Sequence, residues 1–399
     1  MQVITFGCRL NIFESEVIKE RMSFLKDDVI LINTCAVTGE AERQCRQTIR
    51  KLKKEHPNAH LIVVGCAAQL HPEEYARMPE VDRVLGNREK LDPTAFTAPE
   101  TVLAAPIETT LPTPPFIERF DDKSKAFLQI QQGCDHACTF CIVQQARGKN
   151  TGLHPDKVME QARRFLNLGF KEIILTGVDV TAYPFGFSAL VQRLLNELPD
   201  LERLRFGSLD PAALDDDFVW LMHNTRLMPH LHLSIQAGDN LILKRMGRRH
   251  MREDVIKLVQ KIRAVRPDTT FGSDFITGFP TETEEHFQNT LRLVEEAELT
   301  HLHVFPFSPR SGTPAAKMPM VDVPTRKERA KRLRELGQKQ HQKLCQSLQN
   351  KTVQVLLEKS GVGFCENYVK VYTNILNQEG EIVSLTIKGM KSDGVVGHT

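Results

Sequence analysis

The chain has 399 residues, 41% of them apolar and 26% charged, with a formal net charge of +2. These are the proportions of a soluble globular protein of two or three domains, with too little net charge to point to a polyanionic partner except through local clusters. No apolar run reaches the roughly 20 residues a membrane helix needs. The start MQVITFGCRLN is no signal peptide, and nine cysteines in no disulfide-scaffold pattern fit a reducing cytoplasm.

Three short apolar runs come first, Val3–Phe6, Val29–Asn33 and Leu61–Val64, with helical segments Asn11–Leu25 and Ala41–Lys54 between them. A β-α-β-α-β pattern predicts an open parallel sheet. Cys8, Cys35 and Cys66 each fall just past the end of one of these strands. Ligands of open α/β sheets collect at the carboxyl ends of the strands, so three thiols converging there read as a three-cysteine cluster site. The competing reading leaves two of them as ordinary small loop residues. Cys45, inside the second helix, reads as a packing residue, and the basic residues around it as a solvated face. The prolines at 106, 112, 114 and 115 exclude regular helix and predict an extended linker over 106–120, after a domain spanning 1–105.

Residues 121–350 alternate again. FLQIQ, EIILTG, RLRFGS, HLHLSIQ, TFGSDFITG and HLHVFPF read as six strands. Helices are expected at Pro155–Leu168, Ala189–Glu197, Asp215–His223, Arg252–Val265 and Thr283–Ala297. Six βα units predict a partial TIM-like barrel. The first strand runs into Gly133-Cys134-Asp135-His136-Ala137-Cys138-Thr139-Phe140-Cys141. Three cysteines at C-x3-C-x2-C, with no second short-spaced ligand pair, suit an iron–sulfur cluster better than zinc. Three thiolates leave one iron of a 4Fe–4S cluster without a protein ligand, open to a small molecule. The flanking glycine and polar residues weigh against three cysteines buried as small hydrophobes. Lys244, Arg245, Arg248, Arg249, His250 and Arg252 crowd one loop, which suits a polyanionic substrate, against the plainer reading of a solvated capping cluster. The histidines of HLHLS and HLHVF alternate along strands and are assigned no ligand role.

Asp322–Leu348 reads as a charged helix. Strand patterns TVQVLLEK, NYVKVYTN and IVSLTIKG follow, predicting a small all-β module over 351–399. Its Tyr368, Tyr372 and lysines are the residues expected to face nucleic acid.

The loop C-x3-C-x-aromatic-C resembles the signature of the radical SAM superfamily. TFGCRLN, INTCAVT and VVGCAAQ resemble the three cysteine motifs of the methylthiotransferases, and the C-terminal module is similar to the RNA-binding TRAM domain. The resemblance implies two 4Fe–4S clusters, one on Cys134, Cys138 and Cys141 that cleaves S-adenosylmethionine to a 5′-deoxyadenosyl radical, the other on Cys8, Cys35 and Cys66 that carries sulfur. It further implies cofactor contacts from Phe140 in the loop, from Gly177 and Asp179 after the second strand, and from Ser234, Gln236 and Asp239 after the fourth. Arg245 would pair with the cofactor carboxylate, and Gly278 in DFITGFP would lie near the adenine. LTGVDVTAY, PHLHLSIQAGDNLILKRMGRRH and FPFSPRSGTPAA are closest to the subgroup that modifies threonylcarbamoyladenosine in the tRNA anticodon loop. Isopentenyladenosine tRNA or a small-subunit ribosomal protein are the alternative targets, and a non-catalytic iron–sulfur RNA-binding regulator is the alternative of another class. A flavodoxin-type or reductase electron donor and a sulfur donor are the implied partners. The chain departs from the family pattern in two places: it lacks the proline the family has near Gln144, and from Gly148 it reads GKNTGLHP, without the serine–arginine pair that follows the ARG triplet.

Overall fold

A strand that is apolar at every position can only be buried on both faces, which is the situation of a central strand in a parallel sheet. The computed structural model, which describes residues 1–25, 28–107, 116–117 and 124–399, shows this in the first domain. Strands β1 (Gln2–Thr5), β2 (Val29–Thr34), β3 (His60–Gly65), β4 (Arg83–Leu85) and β5 (Val102–Leu103) lie side by side in that order, all parallel. Every residue of β2 is buried. Helices α1 (Arg9–Arg21), α2 (Gly39–Glu55), α3 (Cys66–Leu70) and α4 (Pro72–Ala76) connect them. Two of these strands, β4 and β5, escape the sequence pattern because two or three residues are too few to show an alternation. Thr38 caps α2 by accepting from Ala41 N, and Cys45 is fully buried on the inner face of that helix, as a packing residue. Several of its basic residues are paired: Arg43 with Glu40, Arg46 with Glu42, Lys53 with Asp82.

Most of the proline-rich segment expected as a linker lies outside the described residues. Within it, Ile117 is buried and exchanges two hydrogen bonds with Gln161.

The second domain opens with β6 (Ala126–Gln129) and a small hairpin, β7 (Gln131–Gln132) with β8 (Thr151–Gly152), which brackets the cysteine loop and helix α5 (Val143–Arg147). Helix α6 (Pro155–Asn167), β9 (Glu172–Thr176), helix α7 (Phe187–Glu197) and β10 (Arg203–Phe206) follow. Gly207 separates β10 from β11 (Ser208–Leu209), so these are two halves of one strand. Next come α8 (Asp216–Leu221), β12 (His230–Gln236), α9 (Asn240–Met246), α10 (Arg252–Val265), β13 (Thr270–Thr277), α11 (Glu284–Glu296) and β14 (Leu299–Pro306). The neighbour order is β6-β9-β10 and β11-β12-β13-β14, all parallel. This is the expected six-unit partial barrel. Helix α1 packs against β6, and Phe13, Val17 and Leu31 join Phe127, Ile174 and Phe275 in one apolar core. The first domain therefore closes one side of the barrel.

Helix α12 (Val323–Ser347) runs along β14 and leads into β15 (Thr352–Glu358), β16 (Val362–Phe364), β17 (Lys370–Tyr372), β18 (Ile382–Lys391) and β19 (Gly394–His398), a closed barrel in the order β15-β16-β17-β19-β18. The sequence pattern finds three of the five strands. The glycines of GVGF and GVVGH hide β16 and β19.

Tyr368 is not presented to solvent for nucleic acid. Its ring stacks on His230 with centroids 4.9 Å apart, and Arg205 lies 5.1 Å from its centre. Arg9 reaches its hydroxyl at 3.3 Å. The junction around it is charged and closed: Arg205 pairs with Glu172 at 2.9 Å and donates to the carbonyls of Cys365 and Glu366. The tyrosine is thus a peg that seats the small barrel under the large one. Tyr372, with Lys391 3.9 Å over its ring, keeps the surface position.

Of the strand histidines, His230 and His232 are buried, while the His303 side chain is exposed. His230 and His301 lie edge to face at 4.7 Å, and His341 of α12 is 5.1 Å from His301. Burial, reinforced by His341 and His232 nearby, pushes the His301 imidazole from 6.5 down to about 3. The folded protein then holds His301 neutral, whereas the unfolded chain takes up a proton below pH 6.5. Stability therefore falls as pH drops from 6.5 towards 3. In His301→Gln the loss of unfolding free energy between pH 7 and pH 5, measured by denaturant titration, is expected to shrink by about 2 kcal/mol.

Candidate active site between two cysteine sets

The second-domain cysteine loop is held in place by its backbone. Gly133 has φ +69°, and a Cβ there would sit 1.9 Å from the Lys149 carbonyl oxygen, so only glycine lets the loop close. Cys134 N donates to Gly148 O at 3.1 Å, and Thr139 N to Met246 O at 2.9 Å. Gly247, which ends α9 in the left-handed region, sits against Ala137. The segment Gly148–Asn150 is part of this support: Asn150 N donates to Asp135, and its side chain joins Gln131 to Ala182 O.

Each of the three sulfurs faces a donor. His136 N lies 3.4 Å from Cys134 Sγ, Val143 N 3.4 Å from Cys141 Sγ, and Arg248 Nη1 3.6 Å from Cys138 Sγ. Burial pushes the free thiols up, Cys134 to about 12 and Cys141 to about 11. Thiols in such a place ionise only when a metal takes the proton's position. Donors aimed at sulfur, three thiols in one loop and an open face are what an iron–sulfur cluster with a free iron requires.

The cysteines line a cavity of about 340 Å³, of the size that holds a cofactor. Phe140, Asp179, Ser234 and Gln236 line it as the sequence reading expects. Phe140 packs edge-on to Phe279 at 6.4 Å, and Gln236 adopts a φ of +77° at the end of β12. Four expected residues are elsewhere. Gly177 is pressed against Gln131, whose Oε1 accepts from Val178 N and Asp179 N. Gly278 makes room for Arg326 of α12. Arg245 donates to Thr281 Oγ1 at 2.7 Å. The arginine in the cavity is Arg248, which also donates to Ser234 O at 2.6 Å. Sequence reasoning passed over His136 and Asp210 too. His136 Nε2 is 2.8 Å from Asp179 and 3.9 Å from Asp210. Burial alone would raise the Asp210 carboxyl, but His250, Arg248 and Arg249 hold it well below the usual carboxylate range. Arg248 and His250 of the crowded basic loop are thus turned inward, while Lys244 and Arg249 stay exposed. Asp239, the fourth expected residue outside the cavity, caps α9 just after β12 and accepts from Asn289.

The first-domain cysteines come together as their strand ends predict. Gly7 (φ +100°) is pinned between Cys35 and Asn11, and Gly65 (φ +97°) lies against Asn33 and the Thr34 backbone. Burial pushes the Cys35 thiol up to about 12, and Cys66 and Cys8 are close enough to add to that rise. Val37 N lies 3.5 Å from Cys35 Sγ. Cys66 Sγ faces Arg147 Nε at 3.2 Å and Asn87 Nδ2 at 3.6 Å. Arg147 ends the helix that follows the other cysteine loop, so the two sets meet across one short helix.

Gly133→Ala tests the loop directly. The variant is expected to lose most of the iron that this loop retains after anaerobic reconstitution, read by iron and sulfide assay, while far-UV circular dichroism stays that of the parent.

Comparisons with known proteins agree with this layout. Residues 128–294 match the radical SAM superfamily, and residues 1–86 match a family described as uncharacterized protein family UPF0004. A protein of Rickettsia prowazekii named threonylcarbamoyladenosine tRNA methylthiotransferase MtaB is 44% identical over 98% of this chain and 95% of its own length. One of the same name from Thermotoga maritima is 33% identical over 99% and 96%. A tRNA-2-methylthio-N(6)-dimethylallyladenosine synthase of a Ruegeria species is 36% identical over 90% and 88%. Among solved structures, the radical S-adenosylmethionine methyltransferase TsrM of Kitasatospora setae, with cobalamin and a 4Fe–4S cluster bound, superposes with a TM-score of 0.56. It covers 75% of this chain and 68% of its own at 13% identity, a likeness of fold alone.

Proposed function

The chain belongs to the radical SAM methylthiotransferases, and on that premise we propose that it adds a methylthio group to C2 of N6-threonylcarbamoyladenosine at position 37 of the tRNA anticodon loop. The observation that carries this reading is a full-length relative of that name at 44% identity, supported by two cysteine sets that meet across one short helix. The dimethylallyladenosine relative is less similar, at 36%. No helix among the described residues is long and apolar enough to cross a membrane.

The residues fit the groups this chemistry requires. Cys134, Cys138 and Cys141 would hold one 4Fe–4S cluster and Cys8, Cys35 and Cys66 the other, with the cavity beside the first as the place for S-adenosylmethionine. Together these groups, when bound, supply a 5′-deoxyadenosyl radical and a methylated sulfur. An adenine C2–H is unactivated, so acid–base side chains alone cannot open it. The protein's task is to hold, orient and shield. Backbone N–H groups of His136 and Val143 and the Arg248 guanidinium offset thiolate charge. Arg248 also ties the loop to β12 through Ser234 O, fixing Ser234 and Gln236 relative to the cysteines. Asp179, braced by Gln131 and His136, would present its side chain to the cofactor's amino group, and Phe140, backed by Phe279, gives the cavity an apolar wall.

Within this reading, 1–105 carries the sulfur site, 121–350 the radical SAM site, and 351–399 a TRAM-like module that grips tRNA through Lys370, Tyr372 and Lys391. A single-stranded anticodon loop, whose bases can be splayed out, is a suitable target for such a module. Electrons come from a flavodoxin-type or reductase donor, sulfur from a separate donor, and the reaction is placed in the cytoplasm.

Nucleoside mass spectrometry of bulk tRNA from cells with and without the gene tests this. Loss of the methylthio form of threonylcarbamoyladenosine is expected, with recovery by the wild-type gene and none by Cys141→Ala. Retention of that nucleoside in cells with no second enzyme of the family overturns the assignment.

A further inference from the structure

Arg147 is a buried cation that the reading above leaves without a function. Its side chain is 3% exposed and makes four polar contacts with residues of the first domain. Nε donates to Cys66 Sγ at 3.2 Å, Nη1 to Glu14 Oε1 at 2.8 Å, and Nη2 to Glu14 Oε2 at 2.8 Å and to Asn11 Oδ1 at 2.6 Å. Lys90, fully buried, donates to Glu14 Oε2 at 2.5 Å and to Asn87 Oδ1 at 2.7 Å. Asn87 in turn donates to Ala146 O, the residue before Arg147, and faces Cys66 at 3.6 Å.

Charge decides what this cluster is built for. Arg147 and Lys90 share the single Glu14 carboxylate, and burial lowers the Lys90 ammonium from its usual range, so the guanidinium is the firm positive charge of the cluster. Its remaining N–H, on Nε, is aimed at the Cys66 sulfur at 3.2 Å, the open end of the network. Arginine suits the position because its planar fork reaches the sulfur and both carboxylate oxygens at once, which an ammonium cannot do.

We propose that Arg147 is a positioning residue of the first-domain cluster: carried on the helix behind the radical SAM loop, it places a fixed positive charge on Cys66, setting that cluster's retention and reduction potential. The inference rests on the reading that Cys8, Cys35 and Cys66 hold a cluster. Hydrogen bonds and charge at the ligating sulfurs are established controls of cluster potential. Glu14 acts in the opposite sense, drawing part of the guanidinium's charge away from the sulfur.

The test uses full-length protein carrying Cys134→Ala, Cys138→Ala and Cys141→Ala, so that only the first-domain cluster is read. Its midpoint potential is followed by electron paramagnetic resonance, and its loss to a chelator by absorbance. Arg147→Met is expected to lower the potential and speed chelator release several-fold. Arg147→Lys, which keeps the charge, is expected to recover part of both. Glu14→Gln is expected to move the potential the other way, upward. A merely structural role moves both Arg147→Met and Glu14→Gln towards cluster loss with no opposed potentials, and that result overturns the proposal. An unchanged potential and release rate in Arg147→Met overturns it as well. Should the parent protein show no cluster signal at all, the underlying reading of the three cysteines fails, an outcome separate from the variants' behaviour.

Discussion

Glu14, Lys90 and Arg147 meet in a space almost closed to solvent, and the arrangement of both cysteine sets follows from that meeting. Burial alone would raise the Glu14 carboxyl, yet Arg147 and Lys90 overcome it and bring it down to about 2. The carboxylate is therefore charged at any pH where the protein works, and each partner is bound to it by geometry as well as charge. Glu14 stands on α1, Lys90 follows β4, and Arg147 ends α5 of the barrel. Removing Glu14 leaves both cations buried without a counter-charge, and removing Arg147 breaks the one contact of the triad that spans the two domains. The first domain cannot rotate on the barrel without breaking this triad, and the two cysteine loops are held at one separation.

That constraint is what a two-site reaction needs. A radical made at one site is useful only if the group it attacks and the sulfur it receives are within reach, and proximity held in advance removes the entropic cost of bringing them together. The cavity lies on the barrel side of this junction, bounded by the cysteine loop, the ends of β9, β11 and β12, and the Gly312–Pro314 turn. Arg310, beside that turn, donates to Ala36 O at 2.5 Å, one residue past Cys35. The first domain is thus fastened on both sides of the opening, while Tyr368 and the Arg205–Glu172 pair fasten the small barrel at the other end.

Much of this was legible from residue order. Cys8, Cys35 and Cys66 announced a shared site because strand ends in a parallel sheet lie on one edge, and six apolar runs with helices between them announced the partial barrel. Side-chain direction was not legible. In KRMGRRH the sequence offers three arginines at equal merit. Arg245 turns to Thr281 and Arg248 enters the cavity, because Gly247 ends α9 between them and reverses the chain. Gly177 and Gly278 both permit a close approach, but the approaching groups are Gln131 and Arg326 rather than a cofactor. Tyr368 looked like a nucleic-acid contact because a strand pattern does not show which face another domain covers. Arg147 could not have been singled out, since its partners lie 81 to 136 positions away in the chain.

The most direct measurement is a single-turnover assay with reconstituted protein, S-adenosylmethionine, a reductant and two purified tRNAs. One carries threonylcarbamoyladenosine and the other isopentenyladenosine in the anticodon loop. The account predicts a methylthio nucleoside from the first alone, formed together with 5′-deoxyadenosine. Formation of 5′-deoxyadenosine with neither nucleoside changed, or with only the second changed, would contradict it.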